Sequence, residues 1–402
     1  MAATPKTMAQ RVLIIVENLP VPLDRRVWQE ATTLAAAGYS VSVICPKMPG
    51  FTAAHEVIDG VHVHRHPFPV DGSGAFTYAL EYACSLFWEF VLSLRVWRTR
   101  GFDAIHACNP PDLIFLVAAF FKLFCRTRFL FDHHDLCPEL YLAKRGRKGF
   151  TYRVLCVLER LTFRLADVSI ATNESFKRVA IGRGGMKAED VFIVRSGPDL
   201  SKVRPVPANP AWKCGRKFMV AYVGVMGPQD GVDLLVRGIA YLVHERGRRD
   251  THFVLAGFGP ELEHVRRLAA ELLVQDFVTF PGRVAGGQFA EILCTADVGV
   301  APDVVNEMND KSTMNKIMEY MAFGKPVVLF EMTEGRFTAQ EAAAYARPND
   351  PRALMDEVTA LLDDPARRAR MGACGRERIE KKLQWSCEAP ALRAAYGRLL
   401  GQ

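Results

Sequence analysis

Short, almost unbroken apolar runs recur along the chain, each followed by a segment in which apolar residues return every three or four positions. Arg11 to Glu17 (RVLIIVE) is the first, with the composition of a central parallel strand covered on both faces. Val41 to Cys45 follows, and Val61 to His66 alternates around histidines as a partly exposed strand would. Asp103 to Ala107 (DAIHA), Arg128 to His133 (RFLFDH), Val168 to Thr172 (VSIAT) and Val191 to Val194 (VFIV) repeat the signal. The proline-rich stretch Pro198 to Pro210 predicts an interdomain linker. A second set then comprises Phe218 to Val225, Thr251 to Ala256, Phe277 to Phe280, Val298 to Ala301 and Val327 to Phe330. This rhythm predicts an α/β protein of two doubly wound, Rossmann-like parallel sheets. The strand C-termini of such a pair are expected to open towards a cleft between the domains, where ligands bind.

Asn309 to Glu331 (NDKSTMNKIMEYMAFGKPVVLFE) reads as loop, helix, turn and buried strand. Ser312 or Thr313 is the expected N-cap, since a hydroxyl accepts a hydrogen bond from a free first-turn N–H. Gly324-Lys325-Pro326 is the expected stop. Met314, Ile317, Met318 and Met321 share the side that packs inward. Ser312, Asn315, Lys316 and Glu319 share the other. That row sets a hydroxyl, an amide, an ammonium and a carboxylate beside free backbone N–H groups, the makings of an anion site. It also fits an ordinary solvated face.

At 402 residues the chain exceeds what one core usually holds. Its net charge of +7 suits anionic small molecules or an acidic membrane surface as well as nucleic acid, for which no reader motif is present. The ten cysteines are scattered without Cys-x-x-Cys, as expected for reduced thiols in a cytoplasmic protein. MAATPKTMAQ lacks the apolar run of a secretion signal. Leu113 to Cys125 is too short to span a membrane and carries Lys122, and Phe76 to Trp97 contains Glu81, Glu89 and Arg95. Phe76 to Arg100 and Lys144 to Arg164 mix aromatic, apolar and basic residues, so peripheral contact with the inner face of the cell membrane is expected.

Two loops at strand ends offer imidazoles and carboxylates: His106, Cys108, Asn109 and Asp112 in IHACNPPD, and His133, His134, Asp135 and Glu139 in FDHHDLCPELY. Their spacings match no helical His-x-x-x-His or zinc-finger pattern, so no metal is expected. Gly-rich turns occur at Gly224-Val-Met-Gly227, Gly257-Phe-Gly259 and Pro281-Gly282-Arg283, each after a strand, where backbone can approach a ligand. None is a P-loop, and no GxGxxG follows the first strand, which removes P-loop kinase and NAD chemistry.

The segments KIMEYMAFGKPVV, AGFGPELE, FPGRV followed by TADVGVAP, and YVGVMGPQDGVD resemble the retaining glycosyltransferases of family 4, which have the GT-B fold. NLPVPLDRRVWQEA, IHACNPPD, FDHHDLCPELY and VRSGPD are similar to a bacterial surface-polysaccharide branch of that family. The resemblance spans nearly the whole chain. It implies an acceptor-binding domain over residues 1–203, a nucleotide-sugar domain over 204–383, and a C-terminal helix over 384–402 that crosses back onto the first domain. It implies that Glu319 binds the donor ribose and that the amides of Ser312, Thr313, Met314 and Asn315, with Lys316, hold the diphosphate. Gly282 and Arg283 would meet the base, with Gly224, Gly227, Gly257 and Gly259 also on the donor side. His106, Asn109, His134 and Asp135 would line the acceptor and anomeric side, with weaker candidates in Asn18, Arg25, Arg26, Cys108, Asp112 and Arg336.

Four positions depart from the family pattern. Lys311 stands where a glutamate is usual, Val225 and Asp230 where an arginine and a lysine often follow the strand, and Cys108 where a histidine is frequent. The expectation is a metal-independent hexosyl or N-acetylhexosaminyl transferase needing no cofactor beyond its nucleotide-sugar co-substrate. A uridine donor is expected ahead of a guanosine one, and a polyprenyl-linked or surface glycan as acceptor. No carboxylate pair at the roughly 5 Å separation of a double displacement stands out, which favours front-face attack with retention. A non-catalytic subunit of the same fold and a sugar-nucleotide epimerase are the alternatives.

Overall fold

The computed structural model describes residues 9–67 and 75–401, without the side chains of 75–79. The opening residues MAATPKTM and the side chains at the start of the Phe76–Arg100 stretch therefore lie outside the described residues. The chain forms two compact units, one running to Arg195 and including Glu388 onwards, the other Ser196–Cys387.

The first unit holds β1 (Arg11–Val16), α1 (Arg25–Ala36), β2 (Ser40–Pro46), β3 (His55–Ile58), β4 (Val61–His66), α2 (Ala75–Thr99), β5 (Ala104–Cys108) and α3 (Phe115–Cys125). It continues with β6 (Arg128–His133), α4 (Cys137–Arg145), α5 (Phe150–Leu165), β7 (Val168–Ala171), α6 (Glu174–Gly182) and β8 (Val191–Ile193). The sheet order is β3-β4-β2-β1-β5-β6-β7-β8, parallel except for β3 against β4. The antiparallel edge strand β3 was not legible in the sequence. It covers β4, whose His64 and His66 are buried rather than partly exposed. The order reverses between β1 and β5, so the loops after these strands flank the unit's natural crevice.

The second unit holds β9 (Phe218–Val225), α7 (Val232–Ala240), β10 (Thr251–Phe258), α8 (Leu262–Glu271), β11 (Val278–Gly282), α9 (Gly286–Thr295) and β12 (Val298–Ala301). After these come α10 (Glu307–Lys311), α11 (Asn315–Ala322), β13 (Val327–Phe330), α12 (Thr333–Ala339), β14 (Ala343–Ala346), α13 (Pro351–Asp363) and α14 (Pro365–Arg378). All six strands are parallel in the order β11-β10-β9-β12-β13-β14, with the reversal between β9 and β12. The alanine-rich β14 lacks the β-branched residues that mark a strand, and it too was missed.

The expected linker is no free connection. Within the second unit, Val206 N–H donates to Cys294 Sγ (3.4 Å) and Asn209 N–H to Thr295 Oγ1 (2.9 Å). The unit boundary falls after Arg195, eight residues before the predicted 203, because Gly197 packs on Leu383 and Trp385 N–H donates to Pro198 O (3.0 Å). The last helix, α15 (Trp385–Leu400), belongs to the first unit from Glu388 on. There Glu388 accepts Arg195 N–H (3.0 Å) and Arg398 pairs with Asp190 (2.9 Å). Among the described residues no helix is long and apolar enough to cross a membrane.

Candidate active site

In the second unit the crevice at the β9/β12 reversal is built around α11. Ile317, Met318, Tyr320 and Met321 are buried, with Met314 only partly so. Tyr320 fixes the helix. Its ring lies over Gly299, where a Cβ would come within 2.4 Å of Cγ, and its hydroxyl donates to Val300 O (3.0 Å) while accepting Val223 N–H (2.9 Å). This pins α11 to β9 and β12 together.

The helix entrance differs from the expectation. Met314 occupies the N-cap position and offers no side-chain cap. Ser312 instead ends the short helix α10, with its Oγ donating back to Met308 O (2.8 Å). Met314 thus brings no side-chain cap to the first turn of α11, where Ile317 N–H bonds Met314 O (3.1 Å) and Asn315 is exposed. Lys316 is buried, not on a solvated row. Its ammonium lies 2.6 Å from Asp303 and 3.3 Å from Asp230, and 5.0 Å from the Tyr222 ring centroid. Burial opposes that charge, but Asp303, Tyr222 and Asp230 outweigh it and hold Lys316 protonated, well above the usual lysine value. Asp303 was not singled out from sequence; its partner is thirteen residues away and the pairing depends on α11 folding back over β12.

The glycine turns divide into two kinds. Gly257 faces Gly224 across β10 and β9, and a Cβ there would sit 2.0 Å from Gly224 O; these two serve strand packing. Gly259 meets Met226 backbone in the same way, and Gly227 N–H donates to Asp230 Oδ2 (3.0 Å). Gly282, by contrast, has φ +76° and open space around it. Next to it, exposed Arg283 stacks over the half-exposed Phe258 at 5.2 Å, and Phe258 pairs in register with the exposed Val225. An apolar and cationic shelf therefore borders the strand ends. Glu319 is part-buried on α11, and Thr313 is part-buried before it. Lys311 pairs with Glu307 (2.9 Å), and exposed Arg336 pairs with Glu331 (2.6 Å) and stacks on Tyr345. A groove of about 720 Å³ lined by Arg246, Arg248, Arg249 and Asp363 lies by the start of β10, at the other end of the sheet from Lys316.

In the first unit the predicted residues form a buried network. His106 lies inside β5, not in the loop beyond it, because strand alternation turns Ala104, His106 and Cys108 to one face. It is fully buried, with Nδ1 2.9 Å from the Tyr396 hydroxyl and Nε2 3.4 Å from Asp132. Burial lowers its pKa and keeps the ring neutral. Arg26, 7% exposed, makes a two-pronged contact to Asp132 (2.8 and 3.2 Å), and also reaches Glu30 (3.2 Å), His134 (2.9 Å) and Val194 O (2.6 Å). His134 also bonds Asp132. Burial pushes Glu30 well above the usual carboxylate range. Burial acts the same way on Asp132, but Arg26, His134 and His106 overcome it and hold that group well below its usual value. The pair therefore carries one proton, on Glu30.

Glu30, His106, Cys108 and Asp132 place their ligand atoms within 4.8 Å of one another, a donor set of the kind that holds metals. The fit is poor, since Arg26 already supplies the cation and burial keeps the Cys108 thiol protonated. Asn109 is a buried strut rather than an open side chain. Its Oδ1 accepts from His134 N–H (2.7 Å) and Asp135 N–H (3.1 Å), and its Nδ2 donates to Asp112 (2.9 Å) and Asp135 O (2.7 Å). Asp112 is buried with it, and burial pushes its pKa up to about 6. Asn109 thus staples the β5 and β6 loops, leaving Asp135 exposed and His134 partly so. Asn18 and Arg25 are exposed on the loop after β1 and at the start of α1.

Glu17, directly after β1, is 5% exposed. Burial raises its pKa to about 8, with the Ser85 hydroxyl opposing and Glu81 adding to the shift. The folded value lies above the ordinary 4.5, so the stabilising contribution of the protonated group is complete below about pH 4.5 and is lost as pH rises through 8. Glu17→Gln is therefore expected to raise Tm at pH 8 and change it little at pH 5, measured by thermal denaturation at both.

Comparison with known proteins agrees with this architecture. Residues 217–364 match the family described as "Glycosyl transferases group 1", and residues 23–197 match "Glycosyl transferase 4-like domain". A GDP-mannose-dependent alpha-(1-6)-phosphatidylinositol monomannoside mannosyltransferase of Mycobacterium tuberculosis is 30% identical over 302 residues, 66% of this chain and 77% of that protein. A D-inositol 3-phosphate glycosyltransferase of Kineococcus radiotolerans is 27% identical over 262 residues, covering 60% of this chain and 59% of its own length. Among solved structures, sucrose-phosphate synthase of Thermosynechococcus elongatus shares the fold with a TM-score of 0.80, at 21% identity and 98% and 99% coverage.

Proposed function

The chain belongs to the group 1, family-4-like glycosyltransferases of GT-B fold, and we propose that it moves a hexosyl unit from a guanosine diphosphate sugar to a lipid-linked acceptor, with retention and without a metal. Glycosyl transfer from a nucleotide sugar is the family's common activity. The names of the mannosyl-transferring relatives favour guanosine over the uridine expected from sequence, and they favour a lipid-anchored acceptor.

The observation that carries the reading is the group at the β9/β12 reversal: a helix entrance whose N-cap residue, Met314, offers no side-chain cap, a buried ammonium and a carboxylate on the same helix. In this reading the first-turn amides of α11 receive the diphosphate, and Glu319 accepts the ribose hydroxyls. The base rests on the shelf of Phe258 and Arg283 beside Gly282. Lys316 supplies the fixed cation for the leaving diphosphate, exchanging its longer contact, to Asp230, for phosphate oxygen while Asp303 holds it in place. Asp303 stays paired with Lys316 and Asp230 keeps the Gly227 N–H (3.0 Å), which supports front-face attack over double displacement. The departing phosphate oxygen then takes the acceptor proton. In the first unit His134 and Asp135 face the acceptor, with His106, Asn109 and Arg26 positioning them from beneath.

Nucleoside diphosphate release across GDP-, UDP- and ADP-sugars in the presence of EDTA tests this reading. GDP release that rises when lipid extract is added is expected. UDP release alone would move the base assignment, and release from no donor would favour a non-catalytic subunit.

A further inference from the structure

In the first unit α2, α3 and α5 form one layer on the sheet. Phe90 of α2 packs edge-on against Phe120 of α3 (centroids 5.0 Å apart), and Lys122 of α3 donates to Leu165 O at the end of α5 (2.6 Å). The layer's inner side is already complete, with Phe121, Val117 and Phe163 buried in the core. The outer side nevertheless carries a second apolar set. On α5, Phe150 (82% exposed), Val154, Val157 and Leu161 recur at helical spacing and all face outward. Leu123 and Phe124 at the end of α3 are 75% and 68% exposed, and Phe87 on α2 is 61% exposed. Scattered exposed apolar residues are ordinary, but a stripe continued across three neighbouring helices is not.

The exposed charges along and just before α5 are of one sign. Arg153, Arg160 and Arg164 flank it along α5, and Lys144, Arg145, Arg147 and Lys148 precede it, all exposed. The one acidic residue of α5, Glu159, points inward and is consumed by Arg183. A protein partner of mixed charge gains nothing from such a rim, whereas a sheet of phosphate headgroups over acyl chains matches both the charge and the apolar centre.

We propose that the outer face of α2, α3 and α5 docks on an anionic lipid bilayer, with α5 lying at the headgroup level and Phe150, Leu123 and Phe124 inserted. The purpose of this docking rests on the lipid-linked acceptor proposed above, but its test does not. The full chain is sedimented with vesicles of phosphatidylcholine alone and with roughly one-third phosphatidylglycerol, at low and high salt. Binding to the anionic vesicles only, weakened by salt, is expected. The pairs Phe150→Glu with Val157→Glu and Leu123→Glu with Phe124→Glu are each expected to weaken it by about tenfold or more. Nucleoside diphosphate release without lipid should be unchanged in both, which shows that the variants are folded. Equal sedimentation with and without anionic lipid, or variants that bind as the natural chain does, would overturn the proposal. So would a dimer by light scattering that both pairs dissolve while vesicle binding is absent, which would make the face an interface between copies. A chain that binds vesicles but turns over no donor would uphold this inference and sink the transferase reading, so the two fail separately.

Discussion

Replacing Asp132 by alanine is expected to cost about 3–5 kcal/mol of stability, the usual penalty for stranding one member of a buried ion pair. The residue is fully buried and accepts from Arg26 through both oxygens, with His134 and His106 beside it. Its loss leaves the Arg26 guanidinium 7% exposed, with no nearby carboxylate except Glu30, which burial keeps protonated. Glu30 is then expected to ionise, at a further cost in desolvation. Arg26→Met combined with Asp132→Leu should be less damaging than Asp132→Ala alone, because no charge is left unpaired. Urea denaturation followed by first-unit tryptophan fluorescence checks both variants. An Asp132→Ala midpoint equal to that of the natural chain would contradict the network.

Glu319→Ala is expected to lower kcat/KM for the nucleotide sugar by about 100-fold, the combined worth of two charge-assisted hydrogen bonds to a diol at about 1.5 kcal/mol each. Thermal stability should barely change, since Glu319 is part-buried and the fixation of α11 rests on Tyr320. The loss should be specific to the donor: the KM for the proposed lipid-linked acceptor is expected to stay within about twofold. A variant with natural donor kinetics would remove Glu319 from the ribose site.

The parts that the sequence disclosed are those set by local pattern. RVLIIVE folds as the buried centre of a parallel sheet, and the period of Ile317, Met318 and Met321 places α11 inward-facing. What it hid depends on distant partners. Lys316 reads as a surface cation until β9 brings Asp230, eighty-six residues away, against it. His106 and Asn109 read as loop residues, yet one is turned into the sheet and the other bound by the β6 loop. Ser312 or Thr313 reads as a forward cap because a hydroxyl there often is one, but the Ser312 hydroxyl bonds instead to the carbonyl four residues back. Phe258 and Asp303, both placed beside the crevice by strand register and chain return, left no pattern of their own.

The central claim is transfer of the sugar itself. Chain purified in EDTA is incubated with GDP-mannose labelled in the sugar and with bacterial lipid extract, and label is followed into the organic phase. The account predicts label in lipid, in α linkage by NMR of the product, and about 100-fold less with Glu319→Ala. Label that remains as free mannose, or enters lipid with inverted configuration, would contradict it.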